Sequence, residues 1–121
     1  MILNDIKKVL ESIDPIVFYG LTPSRIYDAQ HREVNTWDYI VFNRTKLKSS
    51  AQKTSYVDAF EVHIVREEFI PEGIDIEVIE KLTALPGVKL ASEDGVYDYT
   101  MKPGTSHVVE MLTLSFTRAR K

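Results

Sequence analysis

Three histidines, His31, His63 and His107, are the side chains here that titrate near neutrality and ligate metals. They lie far apart in sequence and match no local ligand motif, in which ligands recur within a few residues. His63 and His107 could meet across neighbouring strands beside Glu61 or Glu110, the arrangement from which a small enzyme would have to be built; polar surface histidines are the simpler account. Acidic residues gather at Glu67, Glu68, Glu72, Asp75, Glu77 and Glu80, and again at Glu93, Asp94 and Asp98. Acid–base work needs a carboxyl whose pKa an apolar pocket has raised, whereas these flank a helix start and turns, where capping and solubility account for them. No serine or threonine sits in a nucleophile-elbow pattern, and Pro103-Gly104-Thr105 lacks the lysine spacing of a phosphate-binding loop. The chain has no cysteine, which excludes disulfides, thiolate zinc sites and cysteine nucleophiles. The expectation is a protein with no catalytic residues, cofactor or metal.

Binding chemistry is better represented. Arg44 to Ser55 reads Arg-Thr-Lys-Leu-Lys-Ser-Ser-Ala-Gln-Lys-Thr-Ser, with the cations Arg44, Lys46, Lys48 and Lys53 and no anion. A stretch of this length and texture reads as a flexible basic hairpin arm and a candidate interaction element; the alternative is a solvated hairpin tip. Tyr19, Trp37, Tyr39, Phe42, Tyr97 and Tyr99 would make a base-stacking platform if exposed beside the arm, but their strand spacing suits core and subunit contacts. The net charge of −3 argues against a dedicated nucleic-acid binder.

These residues need a frame, and its centre is Tyr56 to Glu67. There Tyr56, Asp58, Phe60, Val62 and Ile64 alternate with Val57, Ala59, Glu61, His63 and Val65, the period of a half-buried antiparallel strand. Ile2, Leu3, Ile6, Val9, Leu10 and Ile13 mark an amphipathic helix that Pro15 stops at Asp14. Ile16 to Tyr19 predicts a short strand, 20–36 a long surface connection with room for a helical turn, and Trp37 to Asn43 a strand covered on both faces or meeting another subunit. Asp75 is the expected N-cap of a helix beginning near Ile76, with Ile74 and Ile79 as a hydrophobic staple, and Leu85-Pro86-Gly87 ends it. Val88 to Ala91, a turn at Ser92 to Gly95 and a return through Met101 predict a hairpin. Lys102 to Ser106 predicts a second turn, and His107 to Arg118 a second long strand near the first. The sum is one α+β domain over 1–121, with a mostly antiparallel sheet, two main helices on one face and an arm at 44–55.

Length and composition agree. A chain of 121 residues, 44% hydrophobic and 27% charged, suits a single globular core. No apolar run is long enough for a membrane span, and the opening residues lack a basic segment followed by an apolar block, so the expected location is the cytoplasm.

Taken together, the amphipathic start, Val17-Phe-Tyr-Gly20, Trp37-Asp-Tyr-Ile-Val-Phe42, the polar arm, the Tyr56 to Arg66 strand, the Ile74 to Leu85 helix and Thr113-Leu-Ser-Phe-Thr-Arg118 resemble the small tail-completion proteins of long-tailed bacteriophages and prophages. That family comprises tail terminators and the related head-to-tail joining proteins. The resemblance covers nearly the whole chain, in element order and texture. It implies a virion structural protein, made in the host bacterial cytoplasm, whose copies close into a ring, typically a hexamer. Such a ring ends tail-tube growth and docks to the head connector. Its implied partners are further copies of itself, the tail-tube protein, the head connector and, in passing, DNA in the lumen, with no membrane. Arg44 to Ser55 would be the contact arm, and no catalytic residues carry over. A small cytoplasmic binding or adaptor domain is the alternative.

Overall fold

The computed structural model describes residues 2–22, 26–27, 30, 32–34, 36–49, 56–91 and 95–120. Its elements run in the order α1 (Ile2–Glu11), β1 (Val17–Tyr19), β2 (Ile26–Tyr27), β3 (Glu33–Val34), β4 (Tyr39–Ser49), β5 (Tyr56–Glu67), α2 (Ile74–Thr83), β6 (Val88–Leu90), β7 (Val96–Met101) and β8 (Val108–Arg120). This is an α+β fold. A six-stranded sheet, antiparallel except where β1 joins β4, is ordered β1-β4-β5-β8, with β6 and β7 both on the remaining edge of β8. As the alternation requires, β5 is central, pairing with β4 on one side and along nearly all of β8 on the other.

The core lies between the sheet and the two helices. Ile6 and Leu10 of α1 and Val78 and Leu82 of α2 meet Ile40, Phe42, Phe60, Val62, Ile64, Leu112, Leu114 and Phe116. Phe60 and Phe116 stack across the central pair at 5.3 Å, the kind of cross-strand contact that fixes register. On the other face, Tyr39, Val65 and Val109 form a smaller cluster with Ile16, Phe18, Trp37 and Met111. Tyr39 to Phe42 is thus covered on both faces within the chain. One buried ion pair ties the layers: Arg66 of β5 meets Asp14, just past α1, at 2.6 Å. No helix among the described residues is long and apolar enough to cross a membrane.

Three expectations are corrected. First, 20–36, read as a connection without strands, holds among its described residues a two-stranded antiparallel ladder, β2 with β3. Second, α2 begins at Ile74: Gly73, at φ 106°, makes the N-cap, and Asp75 sits inside the first turn, where its carboxylate accepts from the amides of Gly73 and Ile76. A glycine adopts this backbone without a Cβ penalty, which moves the helix start upstream of the better capping side chain. Third, β6 and β7 are not a hairpin. Both run antiparallel to β8, Leu90 opposite Phe116 and Val96 opposite Thr113, so they form one interrupted edge strand. The residues of 91–95 have turn chemistry, yet the chain rejoins the same edge of β8 from Val96. Within the expected arm, Arg44 to Ser49 continues β4, paired antiparallel with Tyr56 to Phe60, and 50–55 lies outside the described residues.

Candidate functional site

The basic segment is built on β4, and a bulge decides where its charges go. Arg44 lies opposite Phe60, but the register then slips, so that Lys46 lies opposite Ala59 and Lys48 opposite Val57. Directly opposed residues share a face. Arg44 therefore joins the helix-bearing face, whereas Lys46 and Lys48 lie on the open one; all three are exposed. Lys53 lies outside the described residues.

Where α1 ends its cover of the sheet, Arg44 meets a group of charges that spacing alone did not single out. Asp58 of β5, 6% exposed, accepts two hydrogen bonds from Arg120 at 2.7 Å each. The Arg120 guanidinium, chiefly through these bonds, holds the Asp58 carboxyl below the ordinary carboxylate range; Arg118 and Arg44 add to this, and burial opposes it. Arg44 donates its Nε–H to the Tyr19 hydroxyl at 3.0 Å. Arg118 has a buried Nε with no hydrogen-bond partner. Arg44, Asp58, Arg118 and Arg120, together with Leu3, Ile6 and Phe60, line a cleft of about 350 Å³. The signal in the sequence was there: Phe116, Arg118 and Arg120 fall at period 2, so the cations continue the apolar face of β8.

The histidines do not converge. His63 sits mid-sheet on the open face, its ring nitrogens 2.9 Å from Thr113 Oγ1 and 3.0 Å from Asn43 Oδ1, with Glu61 3.8 Å away. Burial pushes its pKa down, and the Glu61 carboxylate partly opposes that. His107 lies in the turn before β8, six residues beyond the Thr113 that faces His63, or about 20 Å at strand rise. Glu110 is also engaged elsewhere, accepting from the Ile70 amide at 2.8 Å and hydrogen-bonded to Tyr99. The pairing of His63, His107 and a carboxylate is thereby overturned: strand register fixes the separation. His31 lies outside the described residues, among which no group of acidic or histidine side chains is placed to hold a metal.

The aromatic platform is likewise dispersed. Tyr39 and Phe42 are buried, Tyr19 packs edge-on against Phe42, and Tyr97 and Tyr99 lie on β7, across the sheet from β4. What the sheet does present is two unlike edges. Every residue of β7 is exposed, including Val96, Tyr97, Tyr99 and Met101, and its outer edge has no strand partner among the described residues. At the other end, β1 covers only Ile40 to Phe42 of β4, which leaves the basic half of that strand without a partner on its outer side among the described residues.

Comparison with models of known protein families and with curated proteins returned no match to this chain.

Proposed function

We propose that this chain is a ring-forming virion protein of a long-tailed phage or prophage, a tail terminator or head-to-tail joiner that ends tail-tube growth and docks to the head connector. The observation that carries the reading is the pair of unlike, unpartnered sheet edges. One is apolar and aromatic, with Asp98 among its exposed side chains; the other bears Arg44, Lys46 and Lys48. A contact between two different surfaces of one chain is heterologous, and such contacts close into rings when the rotation between copies permits. An exposed edge strand with large apolar side chains is otherwise an aggregation hazard that proteins tend to cover or charge. With both helices on one face of the α+β frame, the two sheet edges stay available for such contacts. Lys46 and Lys48, on the open face, would meet an acidic neighbour or passing DNA.

The test is to add the purified protein to polymerising tail-tube protein and measure tube lengths by electron microscopy, with native mass spectrometry of the protein alone. The wild type is expected to shorten and cap tubes, and Val96→Lys and the Lys46→Glu/Lys48→Glu pair to lose capping while remaining folded. Failure of the wild type to cap tubes of its own phage would sink the proposal, whatever its oligomeric state.

A further inference from the structure

We infer that the cleft between α1 and the ends of β4, β5 and β8 is a binding site for an amphipathic carboxylate, a carboxylate head on a short apolar body. Three guanidiniums, from Arg44, Arg118 and Arg120, surround one carboxylate, Asp58, so the site retains a positive charge excess after its internal pair is made. The Asp58–Arg120 pair, with two bonds of 2.7 Å, already seats a planar carboxylate on a guanidinium fork, the geometry that Arg recognises best. Arg118 supplies the second observation. Its Nε–H is buried and has no partner, a costly state that a bound acceptor relieves. Leu3, Ile6 and Phe60 provide an apolar wall beside these donors, and the cleft of about 350 Å³ is large enough for a small ligand.

The head is assigned as a carboxylate because Asp58 already shows a planar carboxylate seated on a guanidinium fork in this cleft, and the comparison with phosphate separates recognition of that shape from attraction of any anion to the positive excess. The carboxylate could belong to a free small acid or to an acidic side chain of a second copy of this chain; the chemistry of recognition is the same. The inference does not depend on ring assembly.

The experiment is an NMR titration of the ¹⁵N-labelled protein, following the arginine Nε–Hε signals and the methyl groups of Leu3 and Ile6. The ligand is 4-phenylbutyrate, and 4-phenylbutanol and inorganic phosphate are the controls. The expected result is a saturable shift of the Arg118 and Arg44 signals with phenylbutyrate alone, and binding at least about tenfold weaker in Arg118→Lys, which keeps the charge but loses Nε, equivalent to losing one charge-assisted hydrogen bond. Arg44→Gln, on an exposed strand position, should weaken binding without threatening the fold. Sedimentation at increasing concentration separates the sources. Self-association that phenylbutyrate disperses assigns the natural carboxylate to a second copy, and binding by a protein that stays monomeric assigns it to a free acid. The inference is overturned if those arginine signals stay fixed, if phenylbutanol or phosphate moves them equally, or if both variants bind as the wild type does.

Discussion

Removing Arg66 should reveal how strongly the helical layer is fastened to the central strand. Its guanidinium pairs with Asp14 at 2.6 Å and also donates to the carbonyls of Val65 at 2.7 Å and Tyr39 at 3.2 Å. The two side chains are only 12% and 4% exposed, so neither charge is well solvated. In Arg66→Met, Asp14 keeps the Ile16 amide as a donor at 2.9 Å but loses its counter-charge, and breaking one half of such a buried pair costs about 3–5 kcal/mol. For a domain of this size that corresponds to a fall in Tm of about 10–20 °C. In Asp14→Asn the amide oxygen can still accept from Ile16 and Arg66 retains its two carbonyls, so the cost should be smaller, about 1–3 kcal/mol. The informative quantity is the double variant, Asp14→Asn/Arg66→Met. With the orphaned charge gone, it should be no less stable than Arg66→Met alone. Urea unfolding followed by the single tryptophan, Trp37, which packs against Tyr39, Val65 and Val109, reads all four proteins. A cost below about 1 kcal/mol for Arg66→Met, or strict additivity in the double variant, would refute the view that this pair is a desolvated, coupled contact.

Acidity should weaken the fold in two stages. Because burial sets the native pKa of His63 below its ordinary 6.5, the unfolded chain binds that proton first as the pH falls. Stability should therefore decline from about pH 6.5 downward until the native ring also titrates, and His63→Gln should flatten that segment of a urea-midpoint profile. Asp58 and Glu67, held low chiefly by hydrogen bonds from Arg120 and Lys102, contribute stability above their ordinary values of 3.8 and 4.5 that is lost as the pH falls through the depressed native values. Asp58→Asn should remove part of that acid limb. At Gly95 an added Cβ would come within 2.9 Å of Leu112 Cδ1 and 3.1 Å of Leu114 Cδ2, so Gly95→Ala should cost about 1–3 kcal/mol by overpacking. At Gly104 nothing lies within 4 Å but φ is +77°, so Gly104→Ala should cost only the left-handed penalty of about 1–2 kcal/mol; calorimetry of the two variants distinguishes the mechanisms.

Much of the frame was legible because it rests on short-range periodicity. Alternation along Tyr56 to Glu67 and His107 to Arg118 reports which residues share a face, and the stripe from Leu3 to Ile13 reports an amphipathic helix; both depend only on backbone geometry and the need to bury apolar area. The same reasoning placed the strands of the Lys102 to Ser106 hairpin and kept α2, which ends at Thr83, short of Pro86-Gly87. It failed where a decision is made by a distant partner. The residues of 91–95 have turn chemistry, but whether the chain then reverses or continues depends on the open edge of β8. Asp75 is a good cap, but Gly73 two residues earlier already turns the chain.

The candidate sites divide in the same way. Composition by itself determined that Arg44, Lys46 and Lys48 are present without neighbouring anions and that no cysteine chemistry is available. At strand spacing those three cations would share one face; only the pairing of β4 with β5 decided otherwise, because the register slip after Arg44 turns Lys46 and Lys48 to the open face and leaves Arg44 with Arg118, Arg120 and Asp58. Likewise the residue types allowed His63 and His107 to meet, and strand register set them apart. Side-chain identity is local, whereas register is a property of two strands at once, and it is register that decides which charges converge.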